Sequence, residues 1–303
     1  MFYTITFSPA IDLLIETEQQ FDRNGLTRYD NSSLFPGGKG INASIVMKRL
    51  GFETTAITFM KGTMTKIIER GLEDEKIKLI SIPSENNIRI NVQFNNQVNT
   101  FELNGPASII SKSSEEKLLK LIKEFNKDDV VFIMGKSDMV FVEKIVRELS
   151  ALNIKFVLDI DSKEVLNLLK YKPFAIKPNL IELQTLMNTK IKNDKDIIKS
   201  GKELIKLGLK NLLVSCAGNG SFFINKDVVL KIETPVLKII NSSGAGDSML
   251  ATFVANYINT NDIEKSFILG NAAGMATVHS KWLASNEMIQ HFKNDLKIIR
   301  IKE

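Results

Sequence analysis

The chain alternates short apolar runs with longer stretches in which apolar residues recur at every third or fourth position. Apolar runs bounded by turn residues predict buried β-strands, here at Thr54–Phe59, Val130–Met134, Lys155–Asp159, Phe174–Lys177 and Leu212–Ser215. The helical period predicts amphipathic helices, at Ile41–Leu50, Ser114–Phe125, Phe141–Leu149, Lys195–Lys206, Asp247–Ile258 and Ile263–Ala276. Since helices separate most of the strands, the pattern predicts an α/β fold with a mostly parallel sheet and ligands at the carboxyl ends of its strands.

Two segments, approximately 11–35 and 87–104, break this alternation because they read as strand pairs with no helix between them. In the second segment, Asn95-Asn96-Gln97 is a plausible hairpin turn between Ile90–Phe94 and Val98–Leu103. Strand pairs inserted into an α/β domain form either a small sheet that covers the site as a lid or two ordinary surface hairpins. The pattern alone leaves both interpretations open.

Composition narrows the class of protein. With 303 residues, 44% of them hydrophobic and 25% charged, the chain suits a compact globular fold and excludes a disulfide-stapled mini-protein, a disordered chain and a fibrous repeat. The net charge of +5 is dispersed, and the Lys-rich stretch Lys112–Lys127 interleaves Glu at helical spacing. That spacing describes a solvated helix face, so we expect a small anionic ligand rather than nucleic acid.

Features of the chain that bear on location agree with one another. The amino-terminal Met1–Phe7 reads as a first strand and lacks the basic and apolar regions of a signal peptide. No stretch approaches the roughly 18 to 20 apolar residues that a membrane span needs. The one cysteine, Cys216, has no partner for an internal disulfide, which fits a reducing compartment. The sequence therefore predicts a cytoplasmic protein without a membrane partner.

The most informative motif is the glycine-rich stretch Asn241–Ser248, between the strand-like Val236–Ile240 and an amphipathic helix. Glycines at a helix start leave backbone N–H groups that can hold an anion such as a phosphoryl group in transfer. A neighbouring Asp247 can accept the proton of an attacking hydroxyl, or it can simply occupy a helix first turn that favours carboxylates. A dinucleotide fingerprint is disfavoured because Met249 stands where its third glycine belongs.

A second glycine-rich turn, Pro36–Ala43, also opens onto a predicted helix and supplies backbone donors, a lysine and an amide. Such chemistry suits a hydroxyl-rich or phosphorylated ligand. No Ser or Thr follows Lys39 as a Walker A motif requires, and Gly135-Lys136-Ser137 lacks the upstream glycine because Val130 stands there. Nucleotide binding of the P-loop type is therefore not expected.

Taken in order, these turns make the sequence resemble the PfkB branch of the ribokinase-like carbohydrate kinases, most closely its 1-phosphofructokinase and tagatose-6-phosphate kinase members. The stretches that carry the resemblance are Thr4–Asp12, Gly25–Arg28, Gly37–Asn42, Arg89–Val92, Glu102–Pro106, Lys177–Leu183, Ser215–Gly220 and Ser243–Ser248. The resemblance implies one three-layer α/β/α domain over residues 1–303, with a mostly parallel central sheet and a small β-sheet lid. It also implies the cofactors ATP and Mg²⁺ and a homodimer formed through the lid.

The resemblance assigns roles to residues on both sides of the reaction. Asp247 matches the catalytic base, with the anion hole formed by Gly244, Ala245 and Gly246. The residues that match sugar and sugar-phosphate contacts are Asp12, Arg28, Gly38, Lys39, Asn42 and Arg89. Those that match the nucleotide side are Lys177, Asn179, Glu182, Ser215, Gly218, Gly220, Gly246 and Asn271. Glu182 is expected to order Mg²⁺ through water, its alternative being a solvated carboxylate at a helix start.

Three positions depart from the family pattern. Lys136 stands where the family usually has a serine that holds the substrate phosphate, and it either replaces that serine as a cationic donor or points into solvent. Gln93 stands where a lysine is common, and Cys216 lies within an unusual Ser-Cys-Ala-Gly sequence. These departures bear on the choice of sugar phosphate more than on the fold.

The expected reaction is transfer of the ATP γ-phosphoryl group to a hydroxyl of a ketohexose monophosphate, with fructose 1-phosphate as the first choice and fructose 1,6-bisphosphate as its product. Alternatives are tagatose 6-phosphate or fructose 6-phosphate as substrate, an unphosphorylated sugar or nucleoside, and a catalytically silent sugar-phosphate-binding regulator. His279 and His291 lack the partners of a metal site. Trp282 is expected to pack against a helix.

Overall fold

The computed structural model describes residues 1–19, 25–95, 100–234 and 239–301. Its strands are β1 (Phe2–Thr6), β2 (Ala10–Glu16), β3 (Asn31–Gly37), β4 (Thr54–Phe59), β5 (Lys78–Ile82), β6 (Arg89–Asn95), β7 (Thr100–Leu103), β8 (Val130–Met134), β9 (Lys155–Asp159), β10 (Ala175–Ile176), β11 (Asn211–Ser215), β12 (Ser221–Asn225), β13 (Val229–Ile232) and β14 (Ile298–Arg300). Its α-helices are α1 (Lys39–Arg49), α2 (Thr65–Asp74), α3 (Lys112–Ile122), α4 (Met139–Ala151), α5 (Val165–Leu168), α6 (Leu180–Met187), α7 (Asp194–Lys206), α8 (Ala245–Thr260), α9 (Ile263–Val278) and α10 (Asn286–Lys293).

A large sheet in the order β14-β13-β12-β11-β10-β9-β8-β1-β4-β5 forms the centre of the molecule. The strands from β11 to β5 run parallel, and β12, β13 and β14 add an antiparallel edge. Parallel strands leave all their carboxyl ends at one edge of the sheet. The prediction of a mostly parallel sheet is confirmed.

Helices cover both faces of this sheet, which makes three layers. Successive side chains of a strand point to opposite faces, so β8 sends Val130, Phe132 and Met134 into one core and Val131 and Ile133 into the other. The first core is closed by α1, α2, α8, α9 and α10. The second is closed by α3 to α7. Because both faces are apolar, the buried strands read in the sequence as continuous apolar runs.

A second, smaller sheet has the order β3-β2-β6-β7 and is called the small sheet below. Strands β2 and β3 pair antiparallel, as do β6 and β7, and β2 joins the two pairs by running parallel to β6. The two predicted strand pairs are therefore present and belong to one sheet. Residues 96–99 lie outside the described residues, and with them the central part of the predicted Asn95-Asn96-Gln97 turn.

The two faces of the small sheet differ in chemistry. Opposite one another across the four strands stand Leu34, Leu13, Val92 and Leu103. Exposed apolar side chains on this outer face include Leu34, Ile90, Phe101 and Leu103, the last of which is 71% exposed. The opposite, inner face is mostly polar and is formed by Asp12, Leu14, Phe35, Asn91, Gln93 and Glu102, all of which line a cavity.

Several elements differ from the sequence prediction. The chain pattern did not predict β5, β12 to β14, α2 or α10. The strand expected over Val236–Ile240 is wrong for Ile239 and Ile240, because the Ile240 and Asn241 amides donate to the carbonyl of Val278, the last residue of α9. Residues 235–238 lie outside the described residues. No helix in the described part of the chain is long and apolar enough to cross a membrane.

Candidate active site

A cavity of about 660 Å³ lies between the inner face of the small sheet and the carboxyl edge of the large sheet. Residues that follow β1, β8 and β9 line its floor, among them Ser8, Lys136 and Asp161. Helices α1 and α8 begin beside it at Gly38 and Gly244. The two glycine-rich turns of the sequence therefore meet at one site, as the ligand rule for parallel sheets predicts.

Both turns require glycine at their helix starts. Gly38 has a φ of 115° and Gly244 a φ of 78°, backbone conformations that side chains rarely adopt. A Cβ atom on Gly38 would lie 2.8 Å from Thr6 Cγ2, and one on Gly244 would lie 2.7 Å from Leu283 Cδ2. Among the described residues no side chain caps α1 or α8. The positive end of each helix dipole is therefore available to an anion.

Asp247 lies in the first turn of α8 and is 7% exposed. Its Oδ2 accepts a hydrogen bond of 2.9 Å from Asn42 Nδ2 on α1. Burial, assisted by the negative charge of Asp159, raises the pKa of Asp247 to about 6 in spite of Lys39, Asn42 and Lys177. A carboxylate with such a pKa is suited to accept a proton near neutral pH.

Lys39 does not stand alone at the start of α1. Its Nζ lies 2.8 Å from Oδ1 of Asp159, a buried carboxylate at the carboxyl end of β9. The carboxylates of Asp159 and Asp247 hold the pKa of Lys39 above its usual value, against the effect of its own burial. Sequence reasoning missed Asp159, although its place at the end of a predicted buried strand was a usable signal.

On the nucleotide side of the prediction, the chain after β10 approaches the start of α8. The Nζ of Lys177 would lie 2.6 Å from a Cβ atom on Gly246, so the buried lysine packs against that glycine. Glu182 lines the cavity and also forms a capping box with Asn179 at the start of α6. The Asn179 N–H donates to Glu182 Oε2 at 2.7 Å, and the Glu182 N–H donates to Asn179 Oδ1 at 2.8 Å.

The inner face of the small sheet brings Asp12 and Arg89 to the cavity. Asn91 Nδ2 donates to Asp12 Oδ1 at 2.9 Å, and burial raises the pKa of Asp12. Arg89 donates from Nη2 to the Ser8 carbonyl at 3.1 Å and from Nη1 to the Gly105 carbonyl at 3.3 Å. The buried Arg89 Nε has no hydrogen-bond partner among the described residues. A cation held in this way is oriented before any ligand arrives.

Lys136 and Arg28, two cations predicted to contact the substrate phosphate, lie in different places. Lys136 follows β8, is exposed and lines the cavity. Arg28 is exposed and is not among the residues that line the cavity of this single chain. Its backbone N–H donates to Gln19 Oε1 and its carbonyl accepts from Thr17 Oγ1. The phosphate-binding role of Arg28 stays a prediction that the geometry of one chain does not support.

The remaining nucleotide-side residues surround the turn after β11. The Ser215 N–H donates to the Pro178 carbonyl, and Gly218 lines a separate cavity of about 450 Å³. A Cβ atom on Gly220 would overlap the Ile232 carbonyl oxygen at 1.9 Å. Asn271 is 4% exposed: its Oδ1 accepts from Ser221 Oγ and its Nδ2 donates to the Phe267 carbonyl. Both ends of the Asn271 amide are thus used in hydrogen bonds inside the protein, and its contact with adenine stays a prediction.

Cys216 and Trp282 have environments of their own. The thiol of Cys216 is 7% exposed, and burial raises its pKa to about 11. Trp282 packs on the small sheet rather than solely against a helix. Its ring stacks on Phe35 of β3 with centroids 4.8 Å apart, and the guanidinium of Arg49 lies 5.0 Å from the ring centroid. The expected packing against helices is also present, because Trp282 contacts Arg49 of α1 and packs against the core that α1, α8, α9 and α10 help to form.

Comparison with known proteins places this arrangement in a family. A family model described as pfkB family carbohydrate kinase matches residues 5–288. A 1-phosphofructokinase of Bacillus subtilis is 31% identical over 305 residues, which cover 99% of this chain and 100% of that protein. A D-tagatose-1-phosphate kinase of Bacillus licheniformis is 30% identical over 306 residues, which cover 99% of this chain and 100% of the relative.

Solved structures show the same fold. A proposed phosphofructokinase from Staphylococcus aureus, 34% identical, superposes with a TM-score of 0.86 and covers 100% of this chain and 99% of that chain. The phosphofructokinase-2 of Escherichia coli, 24% identical, gives a TM-score of 0.89 and covers 97% of this chain and 98% of that chain. This match shows that the two proteins share a fold.

The fold and the cavity define an α/β enzyme of the ribokinase-like class. The chain belongs to the pfkB family of carbohydrate kinases. The predicted enzyme class, a phosphotransferase with an alcohol group as acceptor, is confirmed by this membership.

Proposed function

We propose that the protein is an ATP-dependent 1-phosphofructokinase, which transfers the γ-phosphoryl group to fructose 1-phosphate and forms fructose 1,6-bisphosphate. The observation that carries this proposal is the position of Asp247. The carboxylate is buried beside an uncapped helix start, has a pKa near neutrality and faces a cavity that Arg89 and Lys136 also line. A base, an anion-binding helix start and cations for a second phosphate are the groups that such a transfer requires.

In this mechanism Asp247 accepts the proton of the attacking sugar hydroxyl while Asn42 keeps the carboxylate oriented. The backbone amides of the Gly244–Asp247 turn, together with the α8 dipole, stabilise negative charge on the transferred group. Lys39 and Lys177 add positive charge to the same place, since both lie close enough to lower the pKa of Asp247. Each of these groups is held by packing or pairing before substrate binds, which reduces the cost of reorganisation.

Substrate selection is proposed for the opposite wall. Asp12 and Asn91 present a hydrogen-bonded acceptor and donor to the sugar hydroxyls. Arg89 and Lys136, which both line the cavity, contact the phosphate already present on the sugar. An unphosphorylated sugar would offer neither cation an anionic partner, which disfavours that alternative.

Carboxylates around the start of α6 would hold Mg²⁺ together with oxygens of the nucleotide and water. In the described part of the chain, no group of three or more His, Cys, Asp or Glu side chains forms a metal cage. Asp159, Asp161 and Glu182 line a cavity of about 210 Å³. One or two carboxylates plus substrate phosphates and water are the usual ligands of Mg²⁺, so this donor set fits. When bound, the ion would neutralise charge on the nucleotide phosphates.

The assay that tests the proposal measures ATP consumption with Mg²⁺ against fructose 1-phosphate, tagatose 6-phosphate, fructose 6-phosphate, free fructose and ribose. We expect the highest kcat/KM for fructose 1-phosphate. D-Tagatose 1-phosphate joins the panel because a relative of 30% identity carries that activity in its name. Preference for a free sugar would contradict the proposed role of Arg89 and Lys136, and absence of turnover on all would favour a silent regulator.

We also propose that the enzyme is a cytoplasmic homodimer in which the small sheet acts as a lid and its outer face is the interface. The support is the apolar row of Leu34, Leu13, Val92 and Leu103 across all four strands, with Leu103 71% exposed. A continuous apolar sheet face of this kind is typical of an interaction surface, and a second copy would cover it symmetrically.

Light scattering after size exclusion tests the assembly. We expect twice the chain mass for the wild type and the single-chain mass for Leu103→Lys. The matched control is Leu207→Lys, which changes an exposed leucine after α7, away from the small sheet. A wild type of single-chain mass at micromolar concentration, or a Leu103→Lys variant that stays at twice that mass, would contradict the proposed interface.

A further inference from the structure

Asn241 connects three separate segments around the active site. It is 6% exposed and lies six residues before Asp247. Its Oδ1 accepts two hydrogen bonds, from the Ser243 N–H at 2.9 Å and from Gln93 Nε2 of β6 at 3.2 Å. Its Nδ2 donates to the Lys281 carbonyl at 3.0 Å. One oxygen therefore shapes the chain just before Gly244 and, at the same time, binds the small sheet.

The segment after α9 makes further links to the same sheet. Lys281 Nζ lies 2.9 Å from Glu16 Oε2 of β2, and Trp282 stacks on Phe35 of β3. Both Lys281 and Trp282 line the active-site cavity. Three of the four strands of the small sheet are thus attached to the two loops that carry Asn241 and Trp282.

We propose that Asn241 is a positioning residue that makes the conformation of the Gly244–Asp247 turn depend on where the small sheet lies. Gln93 forms the link between the two. When the small sheet lies over a bound sugar phosphate, the Gln93 side-chain amide donates to Asn241 Oδ1. Asn241 then holds the Ser243 N–H in place, and with it the helix start that follows. The amides that stabilise the transferred phosphoryl group are then aligned when substrate is enclosed. This inference rests on the proposed kinase function and deepens it.

A double-mutant cycle tests the link. Loss of one neutral hydrogen bond corresponds to about a five- to tenfold effect, so we expect Gln93→Ala to lower kcat by about that factor, with little change in the KM for ATP. Asn241→Ala should lower kcat further because it also loses the bond to Ser243. If Gln93 acts through Asn241, the double variant is no worse than Asn241→Ala alone. Multiplying effects would mean that Gln93 contacts substrate independently, and would overturn the coupling.

Asn241→Ser separates the turn from the link. A serine hydroxyl can still accept from the N–H two residues on, but it is too short to reach Gln93. We therefore expect Asn241→Ser to resemble Gln93→Ala, and adding Gln93→Ala to it to have no further effect. The matched control is Gln290→Ala, which removes an exposed amide that bonds Asn286 on α10. A kcat loss in that control equal to the loss in Gln93→Ala would contradict the inference.

Trp282 gives a readout that does not depend on turnover, since it is the one tryptophan of the chain. Titration with fructose 1-phosphate, without ATP, should change its emission in the wild type and change it less in Gln93→Ala. An unchanged emission at a saturating concentration would overturn the coupling. Wild-type turnover with independent mutant effects would contradict the coupling alone, whereas no turnover on any sugar phosphate would contradict the proposed function and the coupling with it.

Discussion

The two walls of the active-site cavity are built in different ways. One wall carries the buried side chains of Asp247, Asn42 and Lys177. They lie on α8, on α1 and directly after β10, all of which are packed into the three-layer core. On the other, Asp12 and Arg89 stand on a four-stranded sheet whose outer face carries exposed apolar side chains. Groups that must be aligned for chemistry are thus held by buried, packed elements. Groups that we assign to recognition occupy the small sheet, which we propose acts as a lid.

The largest expected effect comes from the core wall. Asp247→Asn should lower kcat by several orders of magnitude because the attacking hydroxyl loses its base, while the KM for ATP changes little. Steady-state and single-turnover kinetics measure this effect. Near-normal turnover would remove Asp247 from the mechanism, and an equal loss in Asp128→Asn, an exposed carboxylate far from the cavity, would point to a general defect.

The same substitution should stabilise the fold. Because folding raises the pKa of Asp247 from 3.8 to about 6, the folded protein binds more protons than the unfolded chain between these values. The free energy of unfolding therefore falls as pH rises through this window, by about 3 kcal/mol in total. We expect Asp247→Asn to unfold at higher denaturant concentration than the wild type at pH 8 and to differ little at pH 3.5. A lower midpoint at pH 8 would contradict this view of the core wall.

The next effect comes from the small sheet. Arg89→Ala should raise the KM for the sugar phosphate by about 10- to 100-fold, since a charge-assisted contact to phosphate is lost, and should leave the KM for ATP nearly unchanged. Arg89→Lys keeps the charge, so its KM for the sugar phosphate should lie between those of the wild type and Arg89→Ala. Arg28→Ala is the informative comparison, because Arg28 lies outside the cavity of one chain. If Arg89→Ala lowers only kcat, recognition is not separated between the two walls as we propose.

The smallest effect concerns the tuning of the base. The Asp159 carboxylate helps to raise the pKa of Asp247, so Asp159→Asn should move the acid limb of the kcat/KM profile from about 6 to lower pH. The substitution also leaves Lys39 without its carboxylate partner Asp159. The ammonium charge then acts on Asp247 alone, which lowers the pKa of Asp247 further. Kinetics between pH 4.5 and pH 8 measure the limb. A shift to higher pH would show that Asp159 acts mainly by holding Lys39 near Asp247, where the ammonium lowers the pKa of the base.

How much of this could be predicted from the sequence depends on the distance over which each feature is determined. Strands such as Val130–Met134 and Lys155–Asp159 were predicted with their observed bounds because a strand buried on both faces is apolar throughout. A helix beginning at the glycine-rich turn was predicted because turn chemistry is local, although α8 begins at Ala245, two residues before the predicted Asp247. Short strands such as Val229–Ile232 were not predicted, since four residues give too brief an apolar run to show a period.

Within the site, Lys39, Asn42 and Asp247 could be assigned to one constellation from the sequence because their motifs match those of the family. The pairing of Lys39 with Asp159 and of Gln93 with Asn241 was beyond reach, because the partners lie 120 and 148 residues apart and only the packed fold brings them together. Asn271 is a different case. Its residue type fits a base contact, but the fold uses both ends of its amide inside the protein.

The enclosed thiol of Cys216 makes this chain convenient for spectroscopy. Thiol-directed labels react with the thiolate, and a single cysteine that is 7% exposed with a pKa of about 11 offers very little of it at neutral pH. A cysteine introduced at an exposed position would therefore take up a fluorophore or spin label almost alone. Distances between such labels on the small sheet and on the large one would test the proposed closure of the lid in solution without removal of the native residue.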